Sequence, residues 1–402
     1  MKVCVVGSGG REHALAEVLG RTCDVVVTPG NPGIANSTSD APESIEADLF
    51  VIGPEVPLVD GLADRLRAQG RMVFGPGADG AQIEGSKAWM KDLLAAAGVP
   101  TAAYGSFTDH GEALRFLDTM APPFVLKTDG LAAGKGVLVT DDREAANTAL
   151  RDYLSGDAFG DAGRTVVIEE GMIGPELSVF AVCDGTRAVP LIAAQDHKRV
   201  GDGDTGPNTG GMGAFAPVPF VDQALIDEVM TDFVNPTLTE LRARGIDYRG
   251  VLFAGLMLTP SGLRLIEYNC RFGDPETQVV MPLMESDLAT LLCQAASGHI
   301  EDDPVFSTDA MVTVIAAADG YPTSTRTGDD ITGVAAASAM PGVSIFAAGV
   351  GLDDAGALVT KGGRVLNVCG RAATLEEARQ RAYGALDKIS WPGMHHRSDI
   401  GA

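Results

Sequence analysis

Glu267 and Asn269 stand two residues apart in Arg264-Leu265-Ile266-Glu267-Tyr268-Asn269, a run whose alternation reads as a strand. Side chains two apart on a strand project from one face. A carboxylate and an amide oxygen so placed suit magnesium, which takes hard oxygen ligands and keeps places for water and phosphate. That spacing is common by itself. It becomes specific because Cys270-Arg271-Phe272-Gly273-Asp274-Pro275-Glu276-Thr277 follows at once. Arg271 offers a planar fork for a carboxylate or a transferring phosphoryl group. The plainer alternative is an ion pair of Arg271 with Asp274 or Glu276.

Three glycine-rich segments carry further chemistry. Gly7-Ser8-Gly9-Gly10-Arg11-Glu12 follows a strand and opens a helix, where a dinucleotide fingerprint would sit. Glu12 replaces the third glycine of that fingerprint, and the second strand ends Thr28-Pro29-Gly30 without an acid for a ribose hydroxyl, which argues against a nicotinamide enzyme. The turn can still bind a phosphate at a helix N-terminus, or be a tight turn and nothing more. The predicted phosphate position is beside Gly9, Gly10 and the Gly30-Asn31 turn, so bulk at Gly10 is expected to weaken phosphorylated-substrate binding above all.

Lys127-Thr128-Asp129-Gly130-Leu131-Ala132-Ala133-Gly134-Lys135-Gly136-Val137 is not a Walker A loop, since Gly136 stands where Ser or Thr should bind magnesium. It reads as a donor-rich hairpin between strands, with a lysine on the entering strand, able to fold over phosphates as a lid. The third segment runs from Gln195-Asp196-His197-Lys198-Arg199 to Gly213. Its polar donors and few apolar residues predict a long mobile loop, and a 19-residue loop in a compact enzyme is usually functional.

The elements that must position these residues follow from the apolar pattern. Val3–Val6, Asp24–Val27, Leu49–Ile52 and Met72–Phe74 read as strands, with helices at Glu12–Gly20 and Leu58–Gln69. This βαβ alternation predicts a parallel sheet. A helix at Lys87–Ala97 leads to a small α+β module: strands Phe124–Lys127, Gly136–Thr140 and Thr165–Glu170, helix Arg143–Leu154. Longer strands follow at Leu177–Cys183, Val189–Ala194, Val251–Leu258 and Leu263–Asn269, with one long helix at Asp222–Arg244. After Asp302-Asp303-Pro304 the pattern resets to strands at Met311–Ala318, Ile345–Val350 and Val365–Cys369 and a closing helix, Leu375–Asp387.

The bulk numbers agree with a multidomain globular chain. At 402 residues more than one core is expected, and 45% hydrophobic residues supply the material. A formal charge of −24 argues against nucleic acid or an anionic membrane as partner. Six scattered cysteines without a CxxC pair read as reduced thiols, and no 18-residue apolar run exists, so a soluble cytoplasmic protein is expected.

Taken together, these segments resemble the glycinamide ribonucleotide synthetases of the ATP-grasp superfamily. The likeness runs through Gly9-Gly10-Arg11-Glu12-His13, Gly53-Pro54-Glu55, Glu84-Gly85-Ser86-Lys87, the Asp129–Gly136 hairpin, Gln195–Arg199 and Asn208-Thr209-Gly210-Gly211-Met212-Gly213. It ends in Asn269–Thr277 and Arg397-Ser398-Asp399-Ile400-Gly401. Tyr268 and Ala194 depart from the usual Phe and Ser without removing a ligand.

The resemblance implies an α/β and α+β multidomain ATP-grasp fold. An N-terminal parallel-sheet domain (1–103) would precede an ATP-grasp domain (104–304, lid subdomain about 122–190) and a β-rich C-terminal domain (305–402). It implies ATP on Lys87, Lys127, Gly130, Gly134, Lys135, Gly136, Glu169, Glu170 and Glu176. Mg2+ or Mn2+ would sit on Glu267 and Asn269, and Arg271, Lys127 and Asp196 would carry catalysis. Gly9, Gly10, Glu12, Gly30, Asn31, Lys198, Asn208, Thr209 and Asp274 would bind substrate. The implied reaction joins glycine to phosphoribosylamine through glycyl phosphate, in a monomer. Related purine-pathway carboxylases or transformylases would lack the Arg271–Glu276 block. A silent nucleotide-binding regulator would have lost Glu267, Asn269 or a phosphate lysine.

Overall fold

The computed structural model describes residues 1–131, 136–156 and 164–402. Its N-terminal sheet is parallel throughout, in the order Asp24–Pro29, Lys2–Gly7, Leu49–Ile52, Val73–Phe74. Successive residues of Lys2–Gly7 enter different cores. Val3 and Val5 pack with Ala14, Leu15 and Val18 of helix Gly10–Leu19. Cys4 and Val6 face Leu58, Leu62 and Leu66 on the other side. Both faces are thus covered, as a parallel sheet requires. The expected helix Leu58–Gln69 is two helices, Glu55–Val59 and Leu62–Ala68, because Gly61 takes a left-handed conformation between them (φ 75°).

The small module is a four-stranded antiparallel sheet, ordered Tyr104–Phe107, Val166–Glu170, Phe124–Thr128, Val137–Thr140. Helices His110–Leu117 and Arg143–Leu154, capped by Asp109 and Asp142, cover it. Its core of Ala113, Leu117, Leu126, Ala146, Leu150 and Ile168 is its own. The module therefore spans 104–170, not 122–190. After the Gly171–Pro175 turn, Glu176–Asp184 and Ala188–Pro190 pair in a different sheet.

That larger antiparallel sheet runs Ala188–Pro190, Glu176–Asp184, Arg249–Thr259, Gly262–Asn269. A bulge between Gly255 and Leu256 leaves Ile266 unopposed, and the register resumes with Gly255 against Glu267 and Phe253 against Asn269. Bulges re-aim side chains beside sites. The 222–244 helix is continuous but widened. Residues Val229–Val234 form a π turn that ends two residues before Pro236, whose missing N–H and ring cannot be fitted into a regular turn.

The third sheet is ordered Gln195–Asp196, Gly213–Ala216, Ala310–Ala317, Arg364–Ala372, Val343–Ala347. Residues 195–213, expected as a loop, are instead a hairpin. Arg199–Gly201 pairs with Thr205–Asn208. Polar clamps from the chain's tail take the place of an apolar core. The buried guanidinium of Arg397 donates to Asp204 Oδ1 (2.6 Å) and to both oxygens of Asp399 (2.7 Å), while Asp399 Oδ2 accepts from the Gly203 amide (2.8 Å). Among the described residues no helix is long and apolar enough to cross a membrane.

Candidate functional site

The parallel sheet and the three antiparallel sheets converge on one cavity of about 430 Å³, within the range of small-ligand sites. The strand Gly262–Asn269 brings Glu267 and Asn269 to its wall. Lys87, at the start of helix Lys87–Ala97, stands beside them. Lys87 Nζ donates to the Gly130 carbonyl (3.0 Å), and Asp129 accepts from Ser86 Oγ and from the Ala88 amide (both 3.1 Å). The entrance of the 128–136 hairpin is thus tied to a helix N-terminus. Gly130 and Gly136 line the cavity; Gly134 and Lys135 lie outside the described residues. Burial lowers the Lys87 pKa, and Glu267 partly restores it.

Lys127 and Glu169 lie behind this wall, on one face of the small sheet, both almost fully buried. Lys127 Nζ meets Glu169 Oε2 at 2.9 Å and the freed Ile266 carbonyl at 3.4 Å. Burial opposes the charge on each, yet the pairing wins: the Lys127 pKa is raised and that of Glu169 lowered. Glu170 points outward, accepting from the Ala103 amide at 3.4 Å.

Arg271 does not pair with Asp274 or Glu276. Its Nη2 donates to Glu84 Oε1 (2.7 Å) and to Asn269 Oδ1 (3.1 Å), and its Nε to Glu55 Oε2 (3.2 Å). Asp274 is already held by Arg364 (3.3 Å) and Gln278 (2.8 Å), and Glu276 Oε1 by Ser178 Oγ (3.2 Å). Burial raises the pKa of Glu84 despite Arg271; at Glu55 burial works the same way, but Arg271, Arg11 and the hydrogen bonds together outweigh it and the pKa falls.

Across the cavity Lys198 bridges Asp196 (2.7 Å) and Glu176 (2.6 Å). Glu276, 4% exposed, has its carboxyl pushed up to about 7, by burial first and then by the Asp196 carboxylate. Thr209 and Asp274 complete this side.

The other expected substrate residues do not reach the cavity. The N-terminal helix end is filled by the protein's own carboxylates: Glu12 Oε2 accepts from the Gly9 amide (2.6 Å) and Asp274 Oδ2 from the Arg11 amide (3.4 Å). Glu12 packs so closely against Gly53 that a Cβ there would come within 2.0 Å of its Oε1. Asn31 spends its amide on the carbonyls of Ser8 (2.8 Å) and Ala347 (3.1 Å), Gly30 donates to Gly7, and Asn208 pairs with Arg199. Gly10 faces packing, since an added Cβ would lie 2.2 Å from Asn367 Nδ2 and 2.8 Å from Gln278 Nε2. Bulk at Gly10 therefore acts on stability before it acts on any ligand. Gly10→Ala is expected to cost about 1–3 kcal/mol; an unchanged denaturation midpoint would refute the packing account.

Residues without an expected role stand in their place. Arg11 and Arg364 line the cavity beside Asp274, and Arg364 Nη1 also donates to the carbonyls of Gly210 (2.6 Å) and Asp274 (2.8 Å). Arg11, Glu55, Glu84 and Glu276 sit inside motifs legible in the sequence. Arg364 arrives from a strand with no local signal at all.

Three comparisons bear on this site. Family models describe residues 1–84, 85–277 and 311–402 as the phosphoribosylglycinamide synthetase N domain, ATP-grasp (A) domain and C domain. A protein of Caulobacter vibrioides named phosphoribosylamine–glycine ligase is 50% identical, covering 100% of this chain and 98% of its own length. The crystal structure of phosphoribosylamine–glycine ligase from Thermotoga maritima matches with a TM-score of 0.88 at 34% identity, over 99% of this chain and 100% of that one. The biotin carboxylase domain of the Hydrogenobacter thermophilus 2-oxoglutarate carboxylase, in complex with MgADP, matches with a TM-score of 0.71 at 16% identity, over 98% and 91% of the two chains, and shares the fold.

Proposed function

Because the chain belongs to the phosphoribosylglycinamide synthetase family and is an ATP-dependent ligase of glycine and 5-phosphoribosylamine in purine synthesis, we propose that its cavity performs the ligation in two displacements. A carboxylate cannot acylate an amine directly at neutral pH, because the leaving group would be oxide. The glycine carboxylate oxygen first attacks the γ-phosphorus of ATP, the bridging P–O bond breaks, and ADP and glycyl phosphate form. The amine of phosphoribosylamine then attacks the acyl carbon. The C–O bond to phosphate breaks, and the nitrogen loses a proton.

The observation that carries this reading is the convergence on one cavity of Glu267 and Asn269, Lys87, and the Asp196–Lys198–Glu276 group. Glu267 and Asn269 present a carboxylate and an amide oxygen on one strand face, which fits Mg2+ or Mn2+ with the remaining places left to water and phosphate. When bound, such an ion neutralises charge on the reacting phosphates. Lys87 and Lys127 hold the phosphates, Gly130 and Gly136 cover them, Glu176 flanks the nucleoside, and Glu169 anchors Lys127 from behind the cavity wall. Arg271 is kept planar and cationic by Glu84 and Glu55, and faces the reacting carboxylate and phosphoryl groups. Lys198, Thr209 and Asp274 hold the amino sugar, with Arg11 and Arg364 as cations for its phosphate. Glu276, beside Asp196, accepts the amine's proton. Catalysis here is mainly positioning and charge neutralisation. A cytoplasmic monomer belongs to the same reading; the reducing compartment is supported by six free cysteines, four of them buried.

A coupled assay tests it. ADP release should require glycine and phosphoribosylamine together with the divalent ion, and with glycine isotopically labelled in its carboxylate oxygens the released phosphate should carry one labelled oxygen. Release of unlabelled phosphate would refute the acyl-phosphate route.

A further inference from the structure

One buried cation has no place in the reading above. Lys91 lies one turn beyond Lys87 on the same helix, and its side chain is fully buried. Its Nζ approaches Glu169 Oε1 at 3.1 Å, donates to Thr101 Oγ1 at 2.7 Å, and sits 5.4 Å from the centre of the Tyr104 ring. Thr101 in turn donates to the Leu265 carbonyl (2.7 Å), two residues before Glu267. Glu169 is thus shared between two cations as ion pairs, with Lys127 at Oε2 and Lys91 at Oε1, although Oε1 has no hydrogen bond of good geometry. Each cation is anchored differently. Lys91 is locked from behind by Thr101 and Tyr104, whereas Lys127's other contact is a long 3.4 Å bond to the Ile266 carbonyl at the cavity wall.

We propose that Lys91 is a positioning residue for the ligation, a fixed counter-ion that keeps Glu169 compensated so that Lys127 is free to turn its ammonium to the nucleotide phosphates. A buried carboxylate left without a partner is strongly unfavourable. With Lys127 as sole partner, the nucleotide would have to compete with Glu169 for the same ammonium. Lys91 removes that competition, because one cation remains on Glu169 when the other leaves. The charges around the group agree. Lys87, Glu267 and Glu176 face Lys127 from the neighbouring elements, and among the described residues Lys127 and Lys91 are the two cations that lead in lowering the Glu169 pKa. The inference rests on Lys127 meeting phosphate, as proposed above.

The test is a set of variants of the full chain, read by affinity for a non-hydrolysable ATP analogue and by KM for glycine. Lys127→Ala checks the underlying reading; an unchanged nucleotide affinity there would sink that reading, whatever Lys91 does. Given its loss, Lys91→Met should weaken the analogue about tenfold or more while glycine KM stays within about twofold. Should Lys91→Met fail to fold, the comparison of Glu169→Gln with Lys91→Met/Glu169→Gln decides. With no carboxylate to compensate, Lys91 has nothing left to do, and the two should bind the analogue equally. A folded Lys91→Met with normal nucleotide affinity, or a double variant markedly weaker than Glu169→Gln, would overturn the proposal, since both indicate that Lys91 serves packing alone.

Discussion

Turnover should fall about 10²- to 10³-fold when Glu267 is replaced by alanine, and as far again when Asn269 follows. These side chains are the two oxygen donors on the cavity face of the strand Gly262–Asn269. The strand itself depends on neither. Its backbone pairs with Arg249–Thr259 on either side of the bulge, Leu256 against Leu265 before it and Gly255 against Glu267 and Phe253 against Asn269 after it. Glu267→Ala should therefore melt with the parent, within about 0.5 kcal/mol. Asn269 is more buried and accepts from Arg271, so its loss also loosens the guanidinium held between Glu84 and Glu55. Measured with saturating Mg2+ and ATP, a double variant turning over near the parent rate would end the metal-ligand assignment.

Glu276→Gln should lower turnover about 10²- to 10⁴-fold and change the shape of the pH profile. A proton acceptor works only when ionised, and this carboxyl is held at about 7 by burial and by Asp196. Activity of the parent should accordingly rise as pH increases through about 7, and the glutamine variant should lose that limb. The stability effect has the opposite sense. The folded-state value lies above the ordinary one, so the stability contributed by this group is present at low pH and is lost as pH rises from the ordinary carboxyl range through about 7. An uncharged glutamine escapes that loss. It should gain on the parent in denaturation midpoint at pH 8 relative to pH 5. A variant that keeps an inflection near 7 would assign the limb to another group.

Where local chemistry sets the structure, the sequence announced it. The parallel sheet was readable because Val3–Val6, Leu49–Ile52 and their neighbours are continuous apolar runs, as strands covered on both faces must be. Glu267 and Asn269 were readable because strand geometry alone puts residues two apart on one face. What failed depended on partners remote in sequence. The plainer alternative for Arg271 paired it with the nearest acids, but its carboxylates come from Glu55 and Glu84, about two hundred residues earlier. The 195–213 segment looked mobile because its own residues bury nothing. It is held by Arg397 and Asp399, from the chain's end. At the first helix, where the sequence reading expects a phosphate, Glu12 and Asp274 accept from the Gly9 and Arg11 amides.

The mixed parentage of the third sheet has a consequence for anyone dividing the molecule. Gln195–Asp196 and Gly213–Ala216 come from before residue 304, yet Gly213–Ala216 forms its ladder with Ala310–Ala317, across the boundary drawn from the sequence at 304/305. A cut there would strip one fragment of the neighbour for Gly213–Ala216 and leave the other with a long bare edge of apolar residues, Ala310–Ala317, which invites edge-to-edge aggregation. Asp196 would lose the support of that sheet in the same stroke. For gene fusions, reporter insertions or split versions of the chain, the seam in composition is thus the wrong place to break. The two pieces behave as halves of one ladder, and each is the other's natural complement.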